Sequence, residues 1–387
     1  MLTIGSQRSL FDIPAGIAYF NTAYNSPLLN RSRTALVTAA HAKSHPWERQ
    51  PAEFFSDAER IRVLAAGLFG GEADGYAVVP AASYGLTTAA RAIQPTLKAN
   101  DRIVVLDEEF PSNVLPWRRV ALETGAVVAI VPTPEDGDWT TATLAVIAQG
   151  ARVAALSPCH WTNGARLDLV AIGLACRAAG ATLVLDATQA LGAMPFDMDA
   201  VQPDFLVSAG YKWLLCPYGV GLMYVGAAWR EARPLEETWL ARINAADFSA
   251  LVDYSDTYMP GARRFDAGEK CTAILPGAIT ALEQLQAWGV SNIARGLGQI
   301  NDRIVSRLEA LGLALPPSSQ RCPHFVGARL PQGLSGDFVG SLRAQQVFIS
   351  QRGSSIRVAP HLHVTEVDIE QLFTALDVAV ASSRPSR

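Results

Sequence analysis

The sequence predicts an α/β protein built around a mostly parallel β-sheet. Short apolar runs rich in β-branched residues recur along the chain, at 76–80, 102–107, 126–132, 152–158, 182–187 and 204–209. Amphipathic stretches such as residues 169–180 lie between several of these runs. Strands that are apolar on both faces and alternate with helices are typical of a parallel sheet covered by helices.

The pattern of the chain changes near residue 250. Before the first run, residues 56–70 have apolar positions at helical spacing and end in glycine, which predicts a helix. After residue 255 the chain reads as a loop, then as helices over 276–289 and about 291–313, and finally as short strands and a last helix. We therefore predict three parts: an N-terminal segment over 1–20 that packs with the small domain, a large α/β domain over 21–250, and a small α+β domain over 251–387.

Composition and charge exclude several classes of function. Of the 387 residues, 49% are hydrophobic and 18% are charged, and 32 basic against 36 acidic side chains give a net charge of -4. Because no run of lysines or arginines occurs, we expect no nucleic-acid partner. No apolar run is long enough to span a bilayer, and residues 1–14 lack the basic and apolar regions of a signal peptide. We therefore expect a cytoplasmic protein without a membrane partner.

The cysteines are scattered along the chain and odd in number. They lie at positions 159, 176, 216, 271 and 322, and none belongs to a close pair such as C-x-x-C. This spacing predicts reduced thiols, and neither a disulfide framework nor a metal site.

Two charged side chains follow strand-like runs at the point where each run ends. TLVLDATQ places Asp186 and Gln189 there, and DFLVSAGYKW places Lys212. In doubly wound sheets, ligands bind beyond the carboxyl ends of the strands. A lysine in a poorly solvated place needs a lowered pKa, a covalent modification or a paired carboxylate. Asp186 and Lys212 thus form either a structural ion pair or part of a reactive site.

The same residues resemble a family signature. DATQ, then D-F-x-V-x-x-x-Y-K, then G-x-G-x-M looks like the signature of class V aminotransferases, which include cysteine desulfurases, kynureninases and isopenicillin-N-epimerase-like proteins. The resemblance extends from about residue 18 to about residue 375 and implies fold type I of the pyridoxal-phosphate-dependent transferases. It implies that Lys212 holds pyridoxal 5'-phosphate as a Schiff base. It also implies that Asp186 pairs with the pyridinium nitrogen and that Gln189 hydrogen-bonds the phenolic oxygen.

The resemblance also assigns residues around the phosphate and the ring. In VPAASYGL, Ala82 and Ser83 match the phosphate-binding turn, although the residues alone also suit an ordinary helix N-cap. Tyr211 matches a tyrosine whose hydroxyl reaches the phosphate. Phe110 matches the position that stacks on the ring, and is otherwise a core residue. The remaining cofactor-binding candidates are Trp161, in SPCHWTNG, and Ser208, in DFLVSAGYK.

Candidates for substrate binding come from three segments. SIRVAP resembles the C-terminal segment whose arginine holds the α-carboxylate, which gives this role to Arg357, with Arg352 as a second candidate. An isolated arginine on a strand otherwise belongs to the surface. The other candidates are Asn21, Tyr24 and Asn25 in AYFNTAYNSPL, and His160, which like Trp161 is otherwise a core residue.

ARRFDAGEK at 262–270 resembles a family loop that reaches the active site of the neighbouring subunit. The resemblance therefore implies a homodimer. Glu269 stands where many members of the family have threonine, and we expect Arg263 or Lys270 to complement its charge.

A cofactor site of this kind is common to several reactions of the family. An aminotransferase acting on an amino acid is the first hypothesis, with Lys212 moving the proton between Cα and the cofactor. A lyase of the kynureninase or C–S-cleaving kind is the second, favoured by Phe110 and Tyr211, and an epimerase is the third. Cysteine desulfurases carry a nucleophilic cysteine just before the C-terminal arginine, whereas ISQRGSSIRV has none, which disfavours a desulfurase. A non-enzymatic protein with a structural ion pair is the remaining alternative.

Overall fold

The computed structural model describes residues 4–50, 52–330 and 337–383, so the predicted parts 1–20 and 251–387 lie partly outside the described residues. Its strands are β1 Ala18–Tyr19, β2 Tyr76–Val79, β3 Arg102–Leu106, β4 Val127–Val131, β5 Ala151–Leu156, β6 Thr182–Asp186, β7 Phe205–Ala209, β8 Gly221–Val225, β9 Val326–Arg329, β10 Val347–Phe348, β11 Ser350–Arg352 and β12 Ser355–Val358. Its α-helices are α1 Asn30–Ala42, α2 Glu53–Phe69, α3 Ala82–Ile93, α4 Leu115–Thr124, α5 Trp139–Ile147, α6 Leu169–Ala179, α7 Met198–Val201, α8 Leu275–Trp288, α9 Val290–Ala310, α10 Phe338–Ala344 and α11 Glu366–Ser383. Within these described ranges, no helix has both the length and the apolar character that crossing a membrane requires.

Seven strands form the central sheet, in the order β2-β8-β7-β6-β5-β3-β4. Within this sheet β8 runs antiparallel to both of its neighbours, β2 and β7, and the other neighbouring strands are parallel. All residues of β2, β6 and β7 are buried, as in strands covered on both faces. The predicted α/β architecture with a mostly parallel sheet is therefore confirmed. The six predicted runs are strands β2 to β7, and β8 lies in the G-x-G-x-M motif.

Helices cover both faces of the sheet. Along β7, Phe205 and Val207 enter the core beneath α3 and α4, whereas Leu206 enters the core beneath α2, α6 and α8. This alternation follows from the two-residue period of a strand. Helix α8 lies beyond the predicted boundary near residue 250, and it packs with α1 and α2 on the large sheet.

The C-terminal part of the chain has its own antiparallel sheet, in the order β11-β12-β9. A separate apolar core joins residues of α9, α10 and α11 with Ala18 and Phe20. Strand β1 also pairs in parallel with β10. The N-terminal strand thus packs with the C-terminal part of the chain.

Gly85 lets helix α3 lie close to β7. A Cβ at this position would lie only 2.7 Å from Cγ1 of Val207, so a side chain would push the helix away from the strand. The close packing brings the first turn of α3 to the carboxyl end of β7. Lys212 follows this strand end directly, so the start of α3 and the lysine meet at one edge of the sheet.

Candidate active site

Two adjoining cavities lie at the carboxyl ends of the central strands. Both are lined by Phe110, Trp161, Gln189, Tyr211, Lys212 and Tyr218. The helix cavity, of about 220 Å³, is lined in addition by residues that include Pro80, Ala81, Ala82, Ser83, Glu109 and Asp186. The arginine cavity, of about 210 Å³, is lined in addition by Ala23, Tyr24, Asn25, Arg352 and Arg357. Lys212 therefore faces two compartments with different chemistry.

Lys212 is buried and its ammonium group is destabilised. Burial lowers the pKa of Lys212 from 10.5 to about 8, Asp186 opposes this change, and the charges of Arg357 and Arg352 add to it. Among the described residues, no carboxylate lies within the 4.0 Å of Lys212 Nζ that a salt bridge requires. The structural ion pair with Asp186 that the sequence left open is therefore not formed.

Asp186 ends β6 in the floor of the helix cavity. Its side chain is buried, and its Oδ1 accepts a hydrogen bond from the backbone N–H of Thr188 at 3.1 Å. Burial raises the pKa of the Asp186 carboxyl, whereas hydrogen bonds from Thr188 and the charge of Lys212 lower it. The carboxylate is thus positioned to act on a cationic partner inside the cavity.

Aromatic rings surround the amine of Lys212. Its Nζ lies 5.4 Å from the ring centroid of Phe110 and 5.6 Å from that of Tyr211. Phe110 contacts Trp161 edge to face at 5.3 Å between centroids, and Tyr211 stacks on Tyr218 at 4.1 Å. Tyr218 was not among the candidates from the sequence. The rings explain the burial that lowers the lysine pKa, and they offer flat partners to an aromatic ligand.

The first turn of α3 presents backbone donors to the helix cavity. Ala81 is the N-cap residue and forms no side-chain cap, and Ala81, Ala82 and Ser83 all line the cavity. The first N–H groups of an α-helix lack partners within the helix and carry partial positive charge. This turn therefore suits a phosphate group, as the family resemblance implies.

Gln189 lines both cavities, but both ends of its amide already have partners. Its Nε2 donates to the carbonyl of Ala23 at 3.0 Å, and its Oε1 accepts from the indole N–H of Trp213 at 2.8 Å. A hydrogen bond to a cofactor oxygen would have to use the second N–H of the amide. The amide is thus held rigidly at the junction of the cavities.

The structure places Ser208 outside both cavities. Its side chain is fully buried, and its hydroxyl donates to the carbonyl of Ala209 at 3.2 Å. Because side chains alternate along a strand, β7 turns Ala209 towards the helix cavity and Ser208 away from it. The sequence predicts that Ser208 contacts the cofactor, but this position does not support a direct contact.

Two arginines that have no acidic partner among the described residues line the arginine cavity. Arg357 is 1% exposed, its Nη1 donates to the carbonyl of Trp161 at 2.7 Å, and its Nε has no hydrogen-bond partner within the described ranges. Arg352 is partly buried, and its guanidinium carbon lies 5.8 Å from the ring centroid of Trp161. In the part of the chain that is described, neither guanidinium has a carboxylate within 4.0 Å. Burial and then the charge of Arg352 lower the pKa of Arg357 to about 9.

The N-terminal candidates separate into two groups. Tyr24 and Asn25 line the arginine cavity, whereas Asn21 does not. Asn21 forms a backbone bridge with Ala359, and its carbonyl accepts hydrogen bonds from the N–H groups of Tyr24 and Asn25. Asn21 therefore shapes the turn that presents its two neighbours.

His160 lies outside both cavities, although its neighbour Trp161 lines them. The Nδ1 of His160 is 2.8 Å from the hydroxyl of Thr162, its Nε2 is 3.0 Å from the carbonyl of Asp107, and its ring stacks on Trp139. Burial lowers the pKa of His160. Of the two alternatives that the sequence left open for His160, the structure shows the core residue.

Glu109 is a buried carboxyl of the helix cavity that the sequence did not single out. Its Oε2 accepts the hydroxyl of Ser157 at 2.8 Å, and its Oε1 accepts the N–H of Phe110 at 2.7 Å. Burial, and next the charge of Asp186, raise the pKa of Glu109 to about 7. In the sequence, the charged run DEEF is typical of a solvent-exposed segment. In the structure, Glu108 has a left-handed φ of 49°, and the next side chain, Glu109, points inward.

The loop 262–270 is bound to its own chain. Glu269 accepts a hydrogen bond from the indole N–H of Trp239 at 3.0 Å. The cations expected to complement it have other partners, in the pairs Arg263–Glu59 at 2.6 Å and Lys270–Asp266 at 2.8 Å. Neither cation forms an ion pair with Glu269 among the described residues, but the hydrogen bond from Trp239 and, less strongly, the charge of Lys270 lower the pKa of the Glu269 carboxyl, so Lys270 complements its charge at longer range.

The fold brings together two cysteines that are far apart in the sequence. Cys159 lines the helix cavity, and its Sγ lies within 4.8 Å of ligand atoms of Cys322 and His324, which are both buried. The Nε2 of His324 lies 2.6 Å from the carbonyl of Gln189. The five cysteines are free thiols, but their spacing along the chain did not reveal this cluster.

Comparison with known proteins identifies relatives over most of the chain. The family model described as aminotransferase class-V matches residues 35–372. A probable cysteine desulfurase of Pyrococcus abyssi is 25% identical over 344 residues, which cover 85% of this chain and 84% of that protein. A cysteine desulfurase of Escherichia fergusonii is 28% identical over 218 residues, which cover 56% of this chain and 52% of that protein. The chain thus spans about half the length of the latter relative.

Solved structures show the same fold. The apo structure of a cysteine desulfurase from Thermococcus onnurineus has a TM-score of 0.85 at 18% identity and covers 99% of this chain and 100% of that chain. A lysine-to-alanine mutant of C-DES, with glycine covalently linked to the PLP-cofactor, has a TM-score of 0.85 at 19% identity, covering 96% and 98%. The complex of the cystine C–S lyase C-DES with cysteine persulfide has a TM-score of 0.82 at 19% identity, covering 96% and 99%. The likeness confirms the predicted fold.

Proposed function

The chain belongs to the class V aminotransferase family of pyridoxal-phosphate-dependent enzymes, and from this premise we propose that it is a lyase that cleaves the carbon–sulfur bond of a cysteine-derived amino acid. In the proposed net reaction, an S-substituted cysteine and water give pyruvate, ammonia and a thiol. The sulfur leaves Cβ with the bonding electron pair and takes up a proton. The aminotransferase of the first hypothesis would use the same lysine and the same cavities.

The residues of the helix cavity fit pyridoxal phosphate. Lys212 would hold the aldehyde carbon, Asp186 would face the ring nitrogen, and Phe110 would stack on the ring. The uncapped first turn of α3 would hold the phosphate. When bound, the cofactor supplies an electron sink that stabilises negative charge at the Cα of an amino acid.

The chain's own residues would position the substrate and move its proton. Arg357 would bind the α-carboxylate, since its guanidinium is buried and charged and no described residue gives it an acidic partner. Lys212 would take the proton from Cα, because it lines both cavities and burial lowers the pKa of its amine towards neutral pH. The aromatic walls formed by Phe110, Trp161 and Tyr211 would limit water around these groups.

The similarity to proteins that act on cysteine or cystine supports a lyase more strongly than an aminotransferase. Cysteine desulfurases are similar to this chain in sequence, and a cystine C–S lyase is similar to it in fold. The lining of the arginine cavity, as far as the chain is described, contains no cysteine that could accept sulfur. Cys159 lines the helix cavity, but its hydrogen bond with Cys322 and its burial raise the pKa of its thiol and disfavour the reactive thiolate. A thiol or sulfide would then leave the enzyme, and no persulfide of the loop at 350–357 would form.

The test is product analysis with the cofactor-loaded protein. We expect L-cystine or an S-substituted L-cysteine to yield pyruvate, ammonia and a thiol or persulfide in equal amounts, measured by coupled assay and mass spectrometry. Lys212→Ala is the control and should form no pyruvate. Alanine as the product would indicate a desulfurase, and the pyridoxamine form with an oxo acid would indicate an aminotransferase. Exchange of deuterium into Cα alone would indicate an epimerase, and each of these three results would refute the lyase.

We further propose that the protein is a homodimer and that it is located in the cytoplasm. The loop 262–270 supports the homodimer through its family resemblance, while its charged residues pair within one chain. Light scattering coupled to size-exclusion chromatography tests the dimer, and a monomeric mass would contradict it. Fractionation of the source cells tests the location.

A further inference from the structure

The arginine cavity contains more positive charge than one amino-acid carboxylate can neutralise. Arg352, Arg357 and Lys212 line it, and no aspartate or glutamate is among its described lining residues. Under the proposed function, Lys212 holds the cofactor and Arg357 binds the α-carboxylate. Arg352 then remains as a partly buried cation for which the described part of the chain offers no anionic partner, which is unfavourable unless the ligand supplies one.

The two arginines lie on one face of a hairpin but at different positions along it. In the pairing of β11 with β12, Arg357 is opposite Ser350, and Arg352 is opposite Ser355. The arginines are therefore diagonal neighbours on the same face, with a spacing of roughly 7 Å. Arginine side chains that start at different positions along the hairpin can each bind a separate anionic group.

The two guanidinium groups also differ in how deeply they are buried. Arg357 is 1% exposed and is held by the carbonyl of Trp161, whereas Arg352 is partly exposed and lies over the ring of Trp161. Tyr24 and Tyr218, which also line this cavity, are 57% and 71% exposed. Arg352 is thus near the mouth, where the part of a substrate beyond its sulfur would lie.

We propose that Arg352 recognises a second carboxylate, carried by the substituent on the sulfur, so that the preferred substrates are dicarboxylic cysteine conjugates. The identity of the departing group rests on the proposed lyase function. The recognition of a second carboxylate rests on the two arginines alone. Arg352 is accordingly a specificity residue, distinct from the α-carboxylate site at Arg357.

The test compares two ligands that differ in one charge, S-carboxymethyl-L-cysteine and its uncharged amide, S-carbamoylmethyl-L-cysteine. Binding is measured by calorimetry in a cofactor-loaded Lys212→Ala background, where the ligand is not consumed. We expect the acid to bind about tenfold more tightly than the amide, as for a charge-assisted hydrogen bond that is partly exposed to solvent. Arg352→Gln should reduce this ratio to about one.

Two further variants test whether the effect is specific to Arg352 or is shared by other arginines near the cavity. Arg357→Lys should weaken both ligands by a similar factor and preserve their ratio. Arg329→Gln removes an exposed charge from β9, the strand on the other side of β12, and should leave the ratio unchanged. A ratio near one in the Lys212→Ala background itself, or equal weakening of both ligands by Arg352→Gln, overturns the proposal. If the enzyme with Lys212 intact forms no pyruvate, the lyase function fails, while the binding ratio still decides the role of Arg352.

Discussion

Lys212 should destabilise the cofactor-free protein at neutral pH. The lowering of its pKa from 10.5 to about 8 by burial corresponds to about 3 kcal/mol of free energy of unfolding. Lys212→Met removes the buried charge and keeps a flexible side chain of similar length. This net shift already includes the favourable charge of Asp186, and we expect the gain in stability at pH 7 to be about 2–3 kcal/mol.

The stability difference between Lys212→Met and the parent protein should depend on pH. Below pH 8 the lysine is protonated in both native and unfolded chains, so the full penalty acts on the native protein. As the pH rises from 8 to 10.5, the native lysine loses its proton while the unfolded chain keeps it, and the parent protein becomes more stable. The advantage of Lys212→Met should therefore shrink between these pH values.

The measurement is urea-induced unfolding of cofactor-free protein, followed by tryptophan fluorescence at pH 7 and pH 10. Lys98→Met is the matched control, because Lys98 is exposed, and it should change the free energy of unfolding by less than about 0.5 kcal/mol. A Lys212→Met protein that is less stable than the parent at pH 7 would refute the reasoning. An advantage of equal size at both pH values would refute it too.

Three further changes test other parts of the structure. Arg62→Met breaks a buried ion pair with Asp266 and should lower the free energy of unfolding by about 3 kcal/mol, at the lower end for a buried pair because Lys270 stays 2.8 Å from Asp266. Arg60→Met, at an exposed pair, should cost less than about 1 kcal/mol in urea unfolding. Gly85→Ala should push α3 away from β7 and weaken pyridoxal phosphate binding about tenfold, by absorbance titration; unchanged affinity would contradict this placement. Since burial raises the pKa of Glu109 from 4.5 to about 7, native stability should fall as the pH rises between these values. Glu109→Gln should thus stabilise the protein by up to about 3 kcal/mol at pH 8 and by much less at pH 5 in thermal unfolding, and equal effects would contradict it.

The pattern of apolar runs predicted the sheet and the location of the candidate site at its carboxyl edge, because both depend on local sequence. Each buried parallel strand is a short apolar run, and the residues after the runs meet at one edge of the sheet. Asp186 and Lys212 could therefore be assigned from the residues themselves. Arg357 and Arg352 required the family resemblance, since an arginine on a short strand has no local signal that distinguishes a cavity from the surface.

The residues that sequence reasoning missed or misassigned depend on the direction of single side chains. Glu109 turns inward after a left-handed residue, although a charged run usually faces solvent. His160 and Trp161 are adjacent, yet the histidine is held in the core and the indole ring lines both cavities. Ser208 and Ala209 differ in the same way along β7. Such choices depend on tertiary packing, which neither periodicity nor composition reports.

The charges of the two cavities differ in how they can be neutralised. The pKa values of Glu109 and Lys212 are about 7 and about 8. Near neutral pH these two groups can therefore become neutral by gaining or losing a proton. The arginines cannot adapt in this way, since even the lowered pKa of Arg357, about 9, leaves its guanidinium charged at pH 7. Binding of an anion would neutralise part of this charge. For this reason substrate carboxylates should contribute more to affinity here than uncharged parts of the substrate of similar size.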